Sequence, residues 1–390
     1  MKIAFITTGL PTENHGAAIS TGLIVEQLQS VGIDVDIYSI SGKEQKTQKI
    51  NERMYEIPEG LGTHFPKRVE QNIMAWEYMP DLSKYDLVHI YNSSPSPAIN
   101  LRNWFFNVDV PTIVTYNNLN WVCTNWTKYL QDGCPPYGLF KTIAYSYKEG
   151  IGIPLLPIKL GLETTAKYLA KRADLVTVQT SGMKSVLENC GYTSANLDVV
   201  PNLLDNRFDI VPDTDNKIMY AGRLSEKKGV LDILNAFIEI ETELVANWEF
   251  EIYGSGDLEQ KIREQYTSHP HISLNYSPYN KLPEIYRNAA VLVHGSKYPE
   301  PFSRTWLEAM ASETAIVASQ NPSSQAVLSD FAELYNPFDP DDLKSTLRSV
   351  LEDKDKRIEM QREGKKAVEQ YRPDTVIETY RSLYERVLSE

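Results

Sequence analysis

Short apolar runs alternate with amphipathic stretches along the whole chain. KIAFIT (2–7), DVDIYSI (34–40), DLVHIY (86–91), TIVTY (112–116) and LVTVQ (175–179) are each bounded by polar or glycine-containing segments. Their shortness and their β-branched and aromatic content predict strands rather than helices. Between the first two lies AAISTGLIVEQLQSVG (17–32), with apolar residues at helical spacing up to Gly32. After ANLDVVPN (195–202) and a polar, proline-containing linker from Asp205 to Asn216, the alternation begins again. Its strands are KIMYAG (217–222), EFEIYG (249–254), ISLNY (272–276), AVLVHG (290–295) and AIVAS (315–319). The chain closes on YRPDTVIETYRSLYERVL (371–388), a helical pattern. Strands alternating with helices predict parallel sheets. The expected fold class is therefore α/β, with parallel sheets in two successive domains. The first spans 1–205, the second 206–370, and 371–390 is a terminal helix.

Candidate chemistry concentrates in YPEPFSRTWLEAM (298–310). Ser is a favoured helix cap and Pro is tolerated in a first turn, so a helix is expected to start near Phe302 or Ser303. Glu300 then lies on the loop before that helix and Glu308 more than a turn inside it. Between them the free N–H groups of a helix N-terminus offer a phosphate site. Two carboxylates flanking a phosphate suit a ligand with hydroxyls at both ends and a diphosphate between, the layout of a nucleotide-sugar. On spacing alone, the same pair also fits a solvated loop and helix.

A basic partner stands upstream. IMYAGRLSEKKG (218–229) reads as a buried strand, a glycine turn carrying Arg223, Lys227 and Lys228, and then the helical pattern VLDILNAFIEI (230–240). Open parallel sheets hold phosphates at such turns. Arg grips phosphate as a fork and Lys as a point charge. By itself the lysine pair also fits a solvated turn.

GRLSEKKG, YGSGDLEQKI (253–262) and EPFSRTWLEAM in this order and spacing resemble the donor domain of glycosyltransferase family 4, retaining enzymes of the GT-B fold. The resemblance extends over nearly the whole chain, through MKIAFITTGLP at the start, DLVHIYN and VVPNLLD (199–205). It implies two Rossmann-like domains facing a central cleft, with the last helix crossing back onto the first domain. Arg223 and Lys228 would bind the donor diphosphate, with Lys227 outside the family spacing. Glu300 would contact the transferred sugar, and backbone amides near Phe302 and Ser303 would cap the phosphate. Glu308 would hold the ribose, and backbone groups around Ser277 and Pro278 the base. The implied partners are a nucleoside diphosphate sugar and a glycan or lipid-linked acceptor. No Asp-rich motif accompanies the donor site, so neither a metal nor a cofactor is expected.

The chain departs from the family at three places. The first loop, NHGAAIST, offers Gly16 followed by Ala17 where paired glycines are usual. Asn117, followed by Asn118, stands where a histidine near the reacting sugar is usual, and Asn hydrogen-bonds without titrating near neutrality. The segment after the EPF helix is NPSSQAVL (321–328) rather than glycine-rich. Two alternatives therefore stay open: a nucleotide-sugar-binding subunit with a degenerate catalytic domain, and an epimerase or phosphorylase on the same fold. His89 fits either a cleft-facing residue or a buried structural one.

The remaining composition narrows the class. At 390 residues and 42% hydrophobic the chain is long enough for two cores. A net charge of −13 argues against nucleic acid as the main partner. Cys123, Cys134 and Cys190 form no metal spacing and are expected to be free thiols. The start reads as a strand, not a signal peptide, and no apolar run approaches a membrane span, so a cytoplasmic protein is expected and the sequons at Asn92, Asn125 and Asn275 carry no weight. Trp121 to Arg172 mixes aromatics, apolar residues and lysines. It fits a helical insertion packed on the first domain, or a membrane-interfacial segment that would make contact with the membrane peripheral and the acceptor lipid-linked.

Overall fold

The computed structural model describes residues 1–12, 16–44, 46–60, 67–117, 165, 168–169, 171–213, 216–244 and 248–390. Most of 121–172, with Cys123, Cys134 and Asn125, lies outside the described residues, as does Asn118.

Two sheets organise the chain. The first holds β1 (Lys2–Thr7), β2 (Asp34–Gly42), β3 (Gln48–Lys49), β4 (Met54–Pro58), β5 (Leu87–Ile90), β6 (Thr112–Thr115), β7 (Leu175–Val178) and β8 (Leu197–Val199). Their order is β3-β4-β2-β1-β5-β6-β7-β8, all parallel except the β3–β4 pair. The second holds β9 (Lys217–Ala221), β10 (Glu249–Tyr253), β11 (Ile272–Asn275), β12 (Val291–His294), β13 (Ala315–Ser319) and β14 (Glu333–Tyr335). It is wholly parallel, in the order β11-β10-β9-β12-β13-β14.

Burial explains why the strands read as continuous apolar runs. Ala4 and Ile6 of β1 enter one buried cluster while Ile3 and Phe5 enter another. Alternate side chains leave opposite faces of a strand, so both faces of the sheet are covered. In the second sheet Ile218 and Tyr220 divide from Met219 in the same way. The terminal helix, Pro373–Ser389, buries Val376, Tyr380 and Tyr384 among Ile3, Phe5 and Leu87 of the first sheet. His89 belongs to this junction. It is fully buried and bonded to the Tyr384 hydroxyl and to Thr115 Oγ1, both at 2.7 Å, and burial lowers its pKa to about 3. The cleft-facing alternative for this histidine is thereby corrected: it packs the last helix onto the sheet.

The two halves also meet at a pair of helix starts. Thr180 caps the helix Ser181–Asn189, and its hydroxyl lies 2.9 Å from Ser323 Oγ in the helix Pro322–Leu328. A Cβ on Gly182 would fall 1.9 Å from the Pro322 carbonyl oxygen, so only glycine allows this approach. NPSSQAVL is thus a capped helix, with Asn321 and Ser324 bonding each other's backbone N–H groups.

Candidate active site

A cavity of about 570 Å³ opens between the carboxyl edges of the two sheets. The second-sheet wall carries its charge. Arg223 follows β9 and is exposed to the cavity. Lys228 ends the short turn Glu226–Lys228, closed by Gly229 at φ +63°. A Cβ there would meet the Gly295 carbonyl at 2.2 Å, so glycine is required for conformation and for space. The turn aims Lys228 inward while Lys227 stays exposed and outside the cavity lining.

Glu300 is buried, and its carboxylate accepts from Lys228 Nζ, Ser296 Oγ and the Tyr298 hydroxyl. Burial opposes its charge, but the ammonium, the nearby His294 and the Ser296 hydroxyl outweigh that and hold its pKa at about 2. Lys228 therefore faces Glu300 as well as the diphosphate position expected of it.

The helix after EPF runs Arg304–Ala311 with Ser303 at the cap position, although no side-chain cap bond forms. Ser303 Oγ instead lies 2.8 Å from Thr305 Oγ1. Phe302 and Ser303 both line the cavity. Glu308 is buried in that helix and accepts from the hydroxyls of Tyr279 at 3.1 Å and Tyr286 at 3.2 Å. Burial raises its pKa against the pull of Arg304 and the two tyrosines. Ser277 and Pro278 line the cavity beside β11.

The first-sheet wall is uncharged. Gly16 opens the helix Gly16–Ser30, and a Cβ there would sit 3.9 Å from Arg304 Cδ, an ordinary contact. Asn117 lines the cavity and donates to the Tyr91 carbonyl at 3.2 Å. All the expected site residues thus face one cavity.

Several other residues line or support the cavity with little or no signal of their own in the sequence pattern. Arg304 is nearly buried, donates to the Tyr279 hydroxyl and reaches Ser20 Oγ at 3.4 Å, and places Nε 3.7 Å from Glu308. His294 packs edge-on against Trp306 with Nε2 3.7 Å from Glu300, and burial lowers its pKa to about 4. Tyr279, Tyr286, Tyr298, Gln179 and Asn202 complete the constellation. The only signal for His294 and Gln179 was a polar residue at the carboxyl end of an apolar strand.

Residues 205–367 match the family described as Glycosyl transferases group 1, and residues 15–208 that described as Glycosyltransferase Family 4. An uncharacterized glycosyltransferase of Methanocaldococcus jannaschii is 23% identical over 244 residues, which are 58% of this chain and 62% of that relative's length. Among solved structures, sucrose-phosphate synthase from Thermosynechococcus elongatus superposes with TM-score 0.72 at 18% identity, covering 100% of this chain and 99% of its own. Anabaena HepE, solved in complex with UDP-glucose, gives TM-score 0.69 at 14% identity, with 99% and 100% covered. With two facing parallel-sheet domains and family matches that together run from residue 15 to 367, the chain belongs to the group 1 glycosyltransferases of GT-B fold.

Proposed function

We propose that this protein moves a sugar from a nucleoside diphosphate sugar to a hydroxyl of a glycan or lipid-linked glycan, with retention at the anomeric carbon. The observation that carries the proposal is the bracketing of one helix start by Glu300 and Glu308, with Arg223 and Lys228 facing the same cavity. The helix N–H groups near Phe302 and Ser303, with Arg223 and Lys228, stabilise the charge that develops on the leaving diphosphate. Glu308 accepts from ribose hydroxyls, the loop at Ser277 and Pro278 holds the base, and Glu300 accepts from the transferred sugar. Asn117 contacts that sugar from the opposite wall. Among the described residues, no carboxylate lines the first-sheet wall, which supports delivery of the acceptor on the donor face, its proton passing to the leaving phosphate oxygen. The UDP-glucose complex of HepE, a fold relative, supports a nucleotide-sugar donor.

A cytoplasmic setting with peripheral membrane contact fits a lipid-linked acceptor. Trp104, Phe105 and Phe106 are 68%, 63% and 56% exposed in succession, and no helix among the described residues is long and apolar enough to cross a bilayer. Vesicle sedimentation of the unaltered protein and of Trp104→Ala checks this; equal recovery in both supernatants contradicts it.

The enzymatic claim is tested by incubating the protein with sugar nucleotides and hydroxyl acceptors and measuring nucleoside diphosphate release. Release that depends on Glu300 is expected. Tight nucleotide binding without release across donors and acceptors would favour the binding-subunit alternative.

A further inference from the structure

Four parallel strands of the first sheet, β5 to β8, each deliver one uncharged polar residue to the cavity just beyond their carboxyl ends. These are Tyr91, Asn117, Gln179 and Asn202. Three of them are engaged. The Tyr91 hydroxyl donates to Asn202 Oδ1 at 3.1 Å, Asn202 Nδ2 donates to the Phe302 carbonyl at 3.1 Å, and Asn117 donates to the Tyr91 carbonyl. Gln179 differs. It is 2% exposed, lines the cavity, and neither end of its amide has a hydrogen-bond partner among the described residues. The Tyr91 hydroxyl lies near enough to feel the amide, although the two do not meet hydrogen-bond geometry.

The backbone fixes that amide in place. Gln179 sits between β7 and Thr180, which caps the next helix and meets Ser323 across the domain junction. A buried amide without partners costs stability, and proteins retain such groups mainly where function uses them.

The chemistry of the unpaired group selects a ligand class. An amide offers two N–H donors and a carbonyl acceptor side by side. A phosphate would leave the carbonyl unused, and an ammonium would leave the N–H groups unused. A sugar hydroxyl both donates and accepts. The first-sheet residues around Gln179 are uncharged, and Arg304, which reaches across to Ser20, is already engaged by Tyr279 and Glu308.

We infer that Gln179 is a ligand-contacting, specificity-determining residue whose amide binds a hydroxyl of an uncharged saccharide ring in the cleft. The inference rests on the proposed transferase function. The ring is either the sugar of the donor or that of the acceptor, and the two sources are separable.

The experiment compares the unaltered protein with Gln179→Leu and Gln179→Glu. Calorimetry first finds which of UDP, GDP, ADP and TDP binds, then measures that nucleotide bare and carrying glucose. Nucleotide release from the glucose-bearing donor is followed with glucose, methyl glucoside and maltose as acceptor probes. Gln179→Leu is expected to melt no lower than the unaltered protein, because an unpaired buried amide is removed. Its affinity for the bare nucleotide stays within twofold. It loses about two- to tenfold per missing hydrogen bond, in donor affinity if the donor sugar is bound, or in saccharide-stimulated kcat/KM if the acceptor is. Gln179→Glu keeps the shape but lacks the N–H donors, and it loses at least as much.

A lower melting temperature with ligand values unchanged makes Gln179 structural and overturns the inference, while nucleotide binding leaves the transferase proposal standing. Equal losses for bare and sugar-bearing nucleotide overturn the saccharide assignment. If the unaltered protein binds none of the four nucleotides, the proposed function fails and the inference fails with it.

Discussion

Replacing Lys228 with alanine should damage stability as well as ligand binding, because Lys228 neutralises a buried carboxylate. Glu300 keeps the hydroxyls of Ser296 and Tyr298 and the more distant His294 when the ammonium is gone. Its pKa is held at about 2 against an ordinary 4.5, which corresponds to roughly 3 kcal/mol in favour of the charged form. Removing one partner of a buried pair costs about 3–5 kcal/mol. Lys228 is 24% exposed, so the low end, about 3 kcal/mol, is expected. At roughly 2–4 °C per kcal/mol the melting temperature should fall by about 6–12 °C at neutral pH.

The pH dependence fixes the sign. In the unaltered protein the folded pKa lies below the unfolded one, so the stabilisation is present above about pH 4.5 and fades as pH falls toward 2. In Lys228→Ala, burial is no longer opposed by the ammonium, the Glu300 pKa moves up, and the deficit narrows on acidification. Adding Glu300→Gln to Lys228→Ala should recover part of the loss, since the unpaired charge disappears. Differential scanning calorimetry of the four members of this cycle at pH 5 to 8 measures it. A Lys228→Ala melting temperature equal to that of the unaltered protein, or a further fall in the double variant, would refute the reasoning.

Arg223 offers the contrast: among the described residues it makes no side-chain hydrogen bond or ion pair, so Arg223→Ala should keep its melting temperature. It should weaken nucleoside diphosphate binding by about ten- to 150-fold, a charge-assisted bond being worth roughly 1.5–3 kcal/mol, whereas Lys227→Ala leaves titrations unchanged. Glu308→Ala should weaken the bare nucleotide, whereas Glu300→Gln binds it no less tightly yet loses turnover; reversed results in calorimetry and initial rates would exchange their roles. Because burial raises the Glu308 pKa, nucleotide affinity should fall on acidification at a pH above that of an ordinary carboxylate, and Glu308→Gln should flatten that profile. Donor turnover should persist in excess chelator, because Arg223 and Lys228 already bring cationic charge to the cavity; loss restored by magnesium or manganese would contradict this.

Ten of the strands were legible because parallel strands covered on both faces carry unbroken apolar runs, whereas the three-residue β8 and β14 were too short to stand out. The helix carrying Glu308 was legible from its cap residue and spacing. The stretch from 48 to 78 was not: MYEIP (54–58) is short, interrupted by Glu56 and ended by Pro58, and KRVEQNIMAWEY (67–78) opens with charge, so β3, β4 and the helix Lys67–Tyr78 needed their neighbours to be recognised. The partners of the glutamates were hidden for a different reason. Tyr279 and Tyr286 come from the loop after β11 and the following helix, 29 and 22 residues before Glu308. Nothing local in the sequence ties them to it. Arg304 reads as a solvated charge at a helix start, yet the opposed helix at Gly16 to Ser20 buries it.

The central claim is that the cavity between the sheets binds a nucleoside diphosphate through Arg223 and the start of the helix at Arg304. The most direct measurement is a thermal shift of the unaltered protein and of Arg223→Ala with UDP, GDP, ADP and TDP. A nucleotide at a hundred times its dissociation constant stabilises by about 2.7 kcal/mol. At least one of the four should raise the melting temperature of the unaltered protein by several degrees, with the shift largely lost in Arg223→Ala. The absence of a shift with all four, or an equal shift in the variant, would contradict the account.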